Sequence, residues 1–136
     1  MKTEVRGVCP LLGIYDMPTS VRFYRDKLGF EIVSTSPVMG EDYFHWAMLR
    51  LGGAEIMLND IYEFNEERPV PPDPARYEAH GDTTLYFGCP DVDSVFEQLQ
   101  SRGVSVKRPT IAPYGMKQLY LRDPDGYRIC LQWPAS

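Results

Sequence analysis

The sequence predicts an α+β fold: two paired βαβββ modules forming curved mixed sheets around a cavity. Three observations predict it. The first is Gln118–Gln132 (QLYLRDPDGYRICLQ), where two apolar-rich runs flank Asp123-Pro124-Asp125-Gly126. Pro presets φ for a turn and Gly126 supplies the positive φ that closes it, which predicts a β-hairpin with a bulge at Gly126. The second is another hairpin signal, Gly52-Gly53, between Tyr43–Leu51 and Ala54–Asn59. The third is repetition. Asp16 and Gly29 bracket one helical pattern, and Asp91 and Gly103 bracket another. Matched caps, stops and hairpins are most simply explained by duplication of one β-α-β-β-β unit.

Taken in order, Val5–Ile14 reads as a strand, with Pro10 marking a sheet edge or a bulge. Asp16 caps the helix that follows, and Pro18 fits its first turn. Val21, Phe23, Tyr24 and Leu28 give helical spacing, and Gly29 stops it. Phe30–Ser34 is the second strand. Counting back from Gly52-Gly53 pairs Arg50 with Glu55, Met48 with Met57 and Trp46 with Asn59 on one face. Ala47, Leu49, Leu51, Ile56 and Leu58 share the apolar other face.

The second module begins with the strand Asp82–Cys89. Asp91 then caps a helix carrying Val92, Val95, Phe96 and Leu99. Val104–Lys107 reads as a short strand, and the Gln118–Gln132 hairpin supplies the last two. In that hairpin Leu119, Leu121, Ile129 and Leu131 point to the core. Gln118, Tyr120, Arg128, Cys130 and Gln132 point the other way. Module 1 thus spans about 5–59 and module 2 about 82–133 of a single domain, 1–136. Between them Asp60–Gly81 is rich in Pro and acid without sustained period, and reads as a connector that could serve as a lid.

Composition narrows the function classes. Lys and Arg number 14 against 19 Asp and Glu, and no basic stripe or RNA-binding aromatic motif occurs, so nucleic acid is not an expected partner. No apolar run is long enough to span a bilayer, and the first residues lack the apolar core of a signal peptide, so a cytoplasmic protein without a membrane partner is expected. Three widely spaced cysteines, Cys9, Cys89 and Cys130, do not make a secreted disulfide framework. A Cys9–Cys130 disulfide is disfavoured in a reducing compartment. No phosphate loop, Ser/His/Asp signature or CxxC motif is present.

The pattern Asp16…Phe23-Tyr24…Leu28-Gly29-Phe30, with Asp123-Pro124-Asp125-Gly126-Tyr127 near the end, resembles the vicinal oxygen chelate superfamily. This is the glyoxalase, bleomycin-resistance and extradiol-dioxygenase group, and the resemblance covers about residues 5–133. It implies homodimerisation, and a divalent metal held by His or Glu on the first and fourth strands of each module. The matching positions here are Cys9, Met57, Thr84 and Cys130, none of them His or Glu. Thr and Met are poor ligands for the usual ions, so these family metal positions read as vacant, with no cofactor expected. His45 falls on the core-side parity of its strand, and His80 falls in the connector. The three sulfur donors allow a soft-metal or arsenical site, against which stands simple filling of space by small, weakly polar residues.

Trp46, Met48, Tyr86, Tyr114 and Tyr120, with Asn59, Gln118 and Gln132 as polar anchors, are the candidate ligand-binding residues. The alternative is a closed core between the modules. Tyr120 stands where several members of the superfamily carry a tyrosine pointing into the site, and is a candidate general acid or a structural aromatic. Asp60, Glu63, Glu66 and Glu67 form an acidic stretch suited to a cationic ligand, or a solvated loop. The leading expectation is metal-independent binding of a small organic molecule, with sequestration of an aromatic or cationic compound its clearest form. The alternatives are a lyase, isomerase or dioxygenase with non-standard metal ligands or a metal-free mechanism, and a structural or regulatory module with a filled cavity.

Overall fold

The structure, a computed structural model, describes residues 2–63 and 67–136. It is an α+β fold of two βαβββ units, each with a four-stranded mixed sheet. The compact units are Met1–Arg68 and Pro69–Ser136.

In the first unit β1 (Leu11–Ile14), β2 (Glu31–Thr35), β3 (Trp46–Leu51) and β4 (Ala54–Asp60) form a sheet of order β1-β4-β3-β2. The hairpin register matches the count from Gly52-Gly53: Trp46 faces Asn59, Met48 faces Met57 and Arg50 faces Glu55. The first strand is shorter than Val5–Ile14, and Val5 and Val8 stand exposed. An apolar pair in solvent gains nothing from strand pairing, so the predicted N-terminal half of the strand has no driving force. Asp16 caps α1 (Met17–Val21) by accepting from Thr19 N–H. From Arg22 to Lys27 the helix widens into a π-helix, closed by Leu28 N–H donating to Phe23 C=O. Widening alters the face predicted from 3.6-residue spacing: Tyr24 is fully buried, whereas Phe23 and Leu28 are only partly so. Leu12, Ile14, Val21, Tyr24, Ala47, Leu49, Ile56 and Leu58 form the core of this unit.

In the second unit α2 (Pro74–Ala79) and a 3₁₀ turn (His80–Asp82) precede β5 (Thr84–Gly88). The chain continues through α3 (Val92–Ser101), β6 (Thr110–Ile111), β7 (Met116–Arg122) and β8 (Arg128–Pro134). The sheet order is β5-β8-β7-β6. Leu119 faces Leu131 and Leu121 faces Ile129 in one set of rows, with Gln118–Gln132 and Tyr120–Cys130 in the alternate set. Asp91 caps α3 by accepting from Ser94 N–H, and α3 buries Val92, Phe96 and Leu99. The predicted strand Val104–Lys107 does not form. The fourth strand is Thr110–Ile111, because that stretch meets β7 in register, Thr110 opposite Gln118.

The connector also departs from expectation. Its described part contains α2, capped by Asp73 accepting from Ala75 N–H, with Pro74 in the first turn. This segment is clamped to the Asp123–Gly126 turn. Arg76 Nη1 donates to Asp125 Oδ1 at 2.5 Å, and Arg122 Nη2 donates to Tyr77 C=O at 2.6 Å. His80 Nδ1 lies 2.7 Å from Asp125 C=O, and its ring stacks on Tyr127 at 4.0 Å. Gly126 has φ +92°, and a Cβ there would lie 2.0 Å from Tyr77 O. The turn therefore needs glycine twice over, for its backbone sign and for the close approach of α2. No helix among the described residues is long and apolar enough to cross a membrane.

Candidate functional site

Each sheet has an apolar face and a mixed one, set by strand parity. On the mixed face of the first sheet Met57 stands between Leu11 and Met48, and Asn59 between Gly13 and Trp46. Cys9 precedes β1. Burial and the charge of Glu55 push its thiol pKa up. Asn59 is already engaged: its Nδ2 donates to Asp60 C=O and to Glu63 Oε1, both at 3.2 Å. Arg50 and Glu55 meet at 3.1 Å, with both side chains exposed enough that the pair adds little to stability.

The second sheet carries the more developed surface. Its rows run Thr84–Arg128–Arg122, then Tyr86–Cys130–Tyr120, then Gly88–Gln132–Gln118. Tyr86 and Tyr120 hydroxyls lie 3.3 Å apart. Tyr120 stands opposite Cys130 across β7 and β8, and the Arg128 guanidinium lies 5.1 Å from the Tyr120 ring centroid. The bond from Tyr86, burial and the neighbouring Cys130 thiol, in that order, push the Tyr120 pKa well above the ordinary phenol range. Burial pushes up the Cys130 thiol as well, against the smaller opposing effects of Tyr120 and Arg128. Gln118 is only 6% exposed. It donates from Nε2 to Tyr114 Oη at 2.8 Å and to Gln132 Oε1 at 2.9 Å. Four of the eight candidate ligand-binding residues, Tyr86, Gln118, Tyr120 and Gln132, thus share one face of this sheet, and a fifth, Tyr114 in the turn before β7, bonds Gln118. Trp46, Met48 and Asn59 share the mixed face of the other.

The donor chemistry at the four positions assigned to metal ligands by resemblance is thiol, thioether, hydroxyl and thiol. The imidazole and carboxylate donors that such an ion prefers are missing from all four positions. Among the described residues no group of three or more His, Cys, Asp or Glu could hold a metal ion. These residues do not fit the divalent ion that the resemblance implies.

A second polar cluster was not foreseen. Asp60, expected on an acidic rim, is buried: its Oδ1 accepts from Tyr62 N–H at 2.7 Å and its Oδ2 from Arg68 Nη2 at 3.1 Å. Arg68 also donates to Tyr15 C=O at 2.6 Å and lies over the Tyr15 and Tyr62 rings. His45 Nδ1 is buried without a hydrogen bond, 3.6 Å from Asp60 Oδ2, close enough for attraction and too far for a bond. Glu66 lies outside the described residues. Nothing in the local sequence ties Arg68 to Asp60. By contrast Asp73-Pro74, a cap followed by a first-turn proline, was a legible start for α2, obscured by the prolines before it.

A family model described as Glyoxalase/Bleomycin resistance protein/Dioxygenase superfamily matches residues 10–131. Among solved structures the chain is similar to TnmS3, an antibiotic binding protein from Streptomyces sp. CB03234. The identity is 26%, the match covers 98% of this chain and 99% of that one, and the TM-score is 0.70. It is also similar to a glyoxalase/bleomycin resistance protein from the same organism, at 27% identity over 93% of this chain and 100% of that one, TM-score 0.63. Lactoylglutathione lyase from Agrobacterium tumefaciens shares the fold at 21% identity, over 95% of this chain and 94% of that one, TM-score 0.67. No curated protein matches.

Proposed function

The chain belongs to the glyoxalase/bleomycin resistance protein/dioxygenase superfamily, and from that premise we propose that it binds a small organic molecule without a metal. Sequestration of an aromatic or cationic compound is the form this takes. The observation that carries the reading is the mixed face of the second sheet. Two hydrogen-bonded groups stand there, the phenol pair Tyr86–Tyr120 and the trio Tyr114–Gln118–Gln132. Phenol rings supply flat apolar area with a polar tip, and amides supply orientation, which is the composition of small-molecule sites. Similarity to an antibiotic binding protein supports the same class of ligand. The donor set described above argues against the superfamily's metal chemistry.

An enzyme reading draws on Tyr120. Its raised pKa keeps the phenol protonated across neutral pH, which suits a hydrogen-bond donor better than a group that must lose and regain a proton.

A thermal-shift screen with aromatic and cationic compounds tests the proposal. A ligand at 100 times its Kd stabilises by roughly 2.7 kcal/mol. A hit whose shift is lost in Tyr86→Ala or Tyr120→Phe is the expected result. Elemental analysis finding stoichiometric Zn, Ni, Fe or Mn in purified protein would overturn the metal-free reading.

A further inference from the structure

The amides on the second sheet specify more than a flat ligand. Gln118 and Gln132 face each other across β7 and β8. Gln118 Nε2 has two hydrogens, and both are used, one on Tyr114 Oη and one on Gln132 Oε1. These bonds set the orientation of both amides head to tail. The groups left over are of opposite kinds: Gln118 Oε1 is an acceptor, and Gln132 Nε2 is a donor. Gln118 is nearly buried, so its orientation is held by packing as well as by its two bonds. The Tyr86–Cys130–Tyr120 row lies two residues along the strands, about 7 Å away. A fused two-ring ligand spans both rows.

The geometry points to a ligand class: a planar aromatic compound bearing an N–H donor and a C=O acceptor on one edge, as in an aromatic lactam or imide. The ligand N–H donates to Gln118 Oε1, and the ligand carbonyl accepts from Gln132 Nε2. The rings lie toward Tyr86 and Tyr120. This inference rests on the proposal that the face binds small aromatic molecules, and it adds which edge they present. An amide pair with one member buried and the other half-buried, left with one acceptor and one donor, discriminates because a ligand with the wrong edge leaves a polar group unpaired.

The test compares 2-quinolone, N-methyl-2-quinolone and 2-aminoquinoline by isothermal titration calorimetry on the full chain. Wild type is expected to bind 2-quinolone at least tenfold more tightly than its N-methyl analogue, which has lost the donor. Gln132→Glu keeps the oxygen that accepts from Gln118 but replaces the free donor by an acceptor. That variant is expected to reverse the preference, losing 2-quinolone and gaining 2-aminoquinoline, whose ring-protonated form presents donors at both points. Side-chain amide resonances of Gln118 and Gln132 should shift on adding 2-quinolone. Equal binding of 2-quinolone and its N-methyl analogue by wild type, a comparison that needs no variant, overturns the inference while leaving aromatic binding intact. So does failure of all three probes when other aromatic compounds stabilise the protein. If no aromatic compound binds, both this inference and the proposal beneath it fall.

Discussion

Replacing Gly126 with alanine probes the contact on which the turn is built. The backbone there has φ +92°, and the added Cβ would sit 2.0 Å from Tyr77 O and 2.8 Å from Tyr77 C. The conformational cost alone is about 1–2 kcal/mol. The clash is with backbone, so it is relieved only by moving α2 off the turn. That movement threatens the Arg122 bond to Tyr77 C=O and the pairing of Arg76 with the buried Asp125 carboxylate. Loss of a bond to a charged group and weakening of a buried ion pair bring the total to about 4 kcal/mol. Gly103→Ala is the matched control. Its φ is +77° and nothing lies within 4 Å of the added carbon, so only the conformational cost of about 1–2 kcal/mol applies. For a chain of this size, 1 kcal/mol moves Tm by roughly 3–5 °C. Thermal melts should therefore separate the two variants by about 10 °C. Hydrogen exchange should show faster opening of residues 74–82 in Gly126→Ala alone. Equal melts for the two variants would refute the argument that close approach of α2, rather than backbone sign, makes Gly126 necessary.

Three further outcomes follow from other contacts. Asp60→Ala should destabilise the first unit by roughly 3 kcal/mol in urea titrations, because it takes from Arg68 its buried carboxylate partner and from Tyr62 N–H its acceptor; a change under about 1 kcal/mol would show that water replaces the carboxylate. Arg25 holds the Asp42 carboxyl below its usual range through bonds of 2.8 and 2.9 Å. A depressed folded pKa stabilises above the unfolded value and is lost as pH falls through the folded one. The stability difference between wild type and Asp42→Asn should thus be constant above about pH 5 and shrink below about pH 4; a difference independent of pH would contradict the pairing. Of the three thiols, Cys130 is fully buried whereas Cys9 and Cys89 are partly exposed. With a disulfide reagent at pH 8, Cys130 should react last, at the rate of unfolding; native-state labelling as fast as Cys9 would mean that this face opens readily.

Much of the fold was legible because it rests on local rules. Gly52-Gly53 dictated which residues of β3 and β4 stand opposite, since a two-residue turn leaves one register. Alternation then divided core from mixed face in the last hairpin, since parity is a property of the strand alone. Asp16 and Asp91 cap their helices through bonds spanning three residues. Pairing between distant segments was not legible. Whether Val5–Ile14 or only Leu11–Ile14 forms a strand depends on what β4 offers it, and whether Val104–Lys107 or Thr110–Ile111 completes the second sheet depends on β7.

The sequence by itself determined the two modules, their faces and the candidate residues on them, along with the absence of His and Glu from the four positions that the resemblance assigned to metal ligands. Residue type and strand parity suffice for that. The tertiary structure alone decided which side chains act together. It tied Asp60 to Arg68, docked α2 on the Asp125-Gly126 turn, and used both hydrogens of the Gln118 amide. Such bonds are set by distances between segments far apart in the chain, where hydrogen-bond reach of about 3 Å admits or excludes a partner.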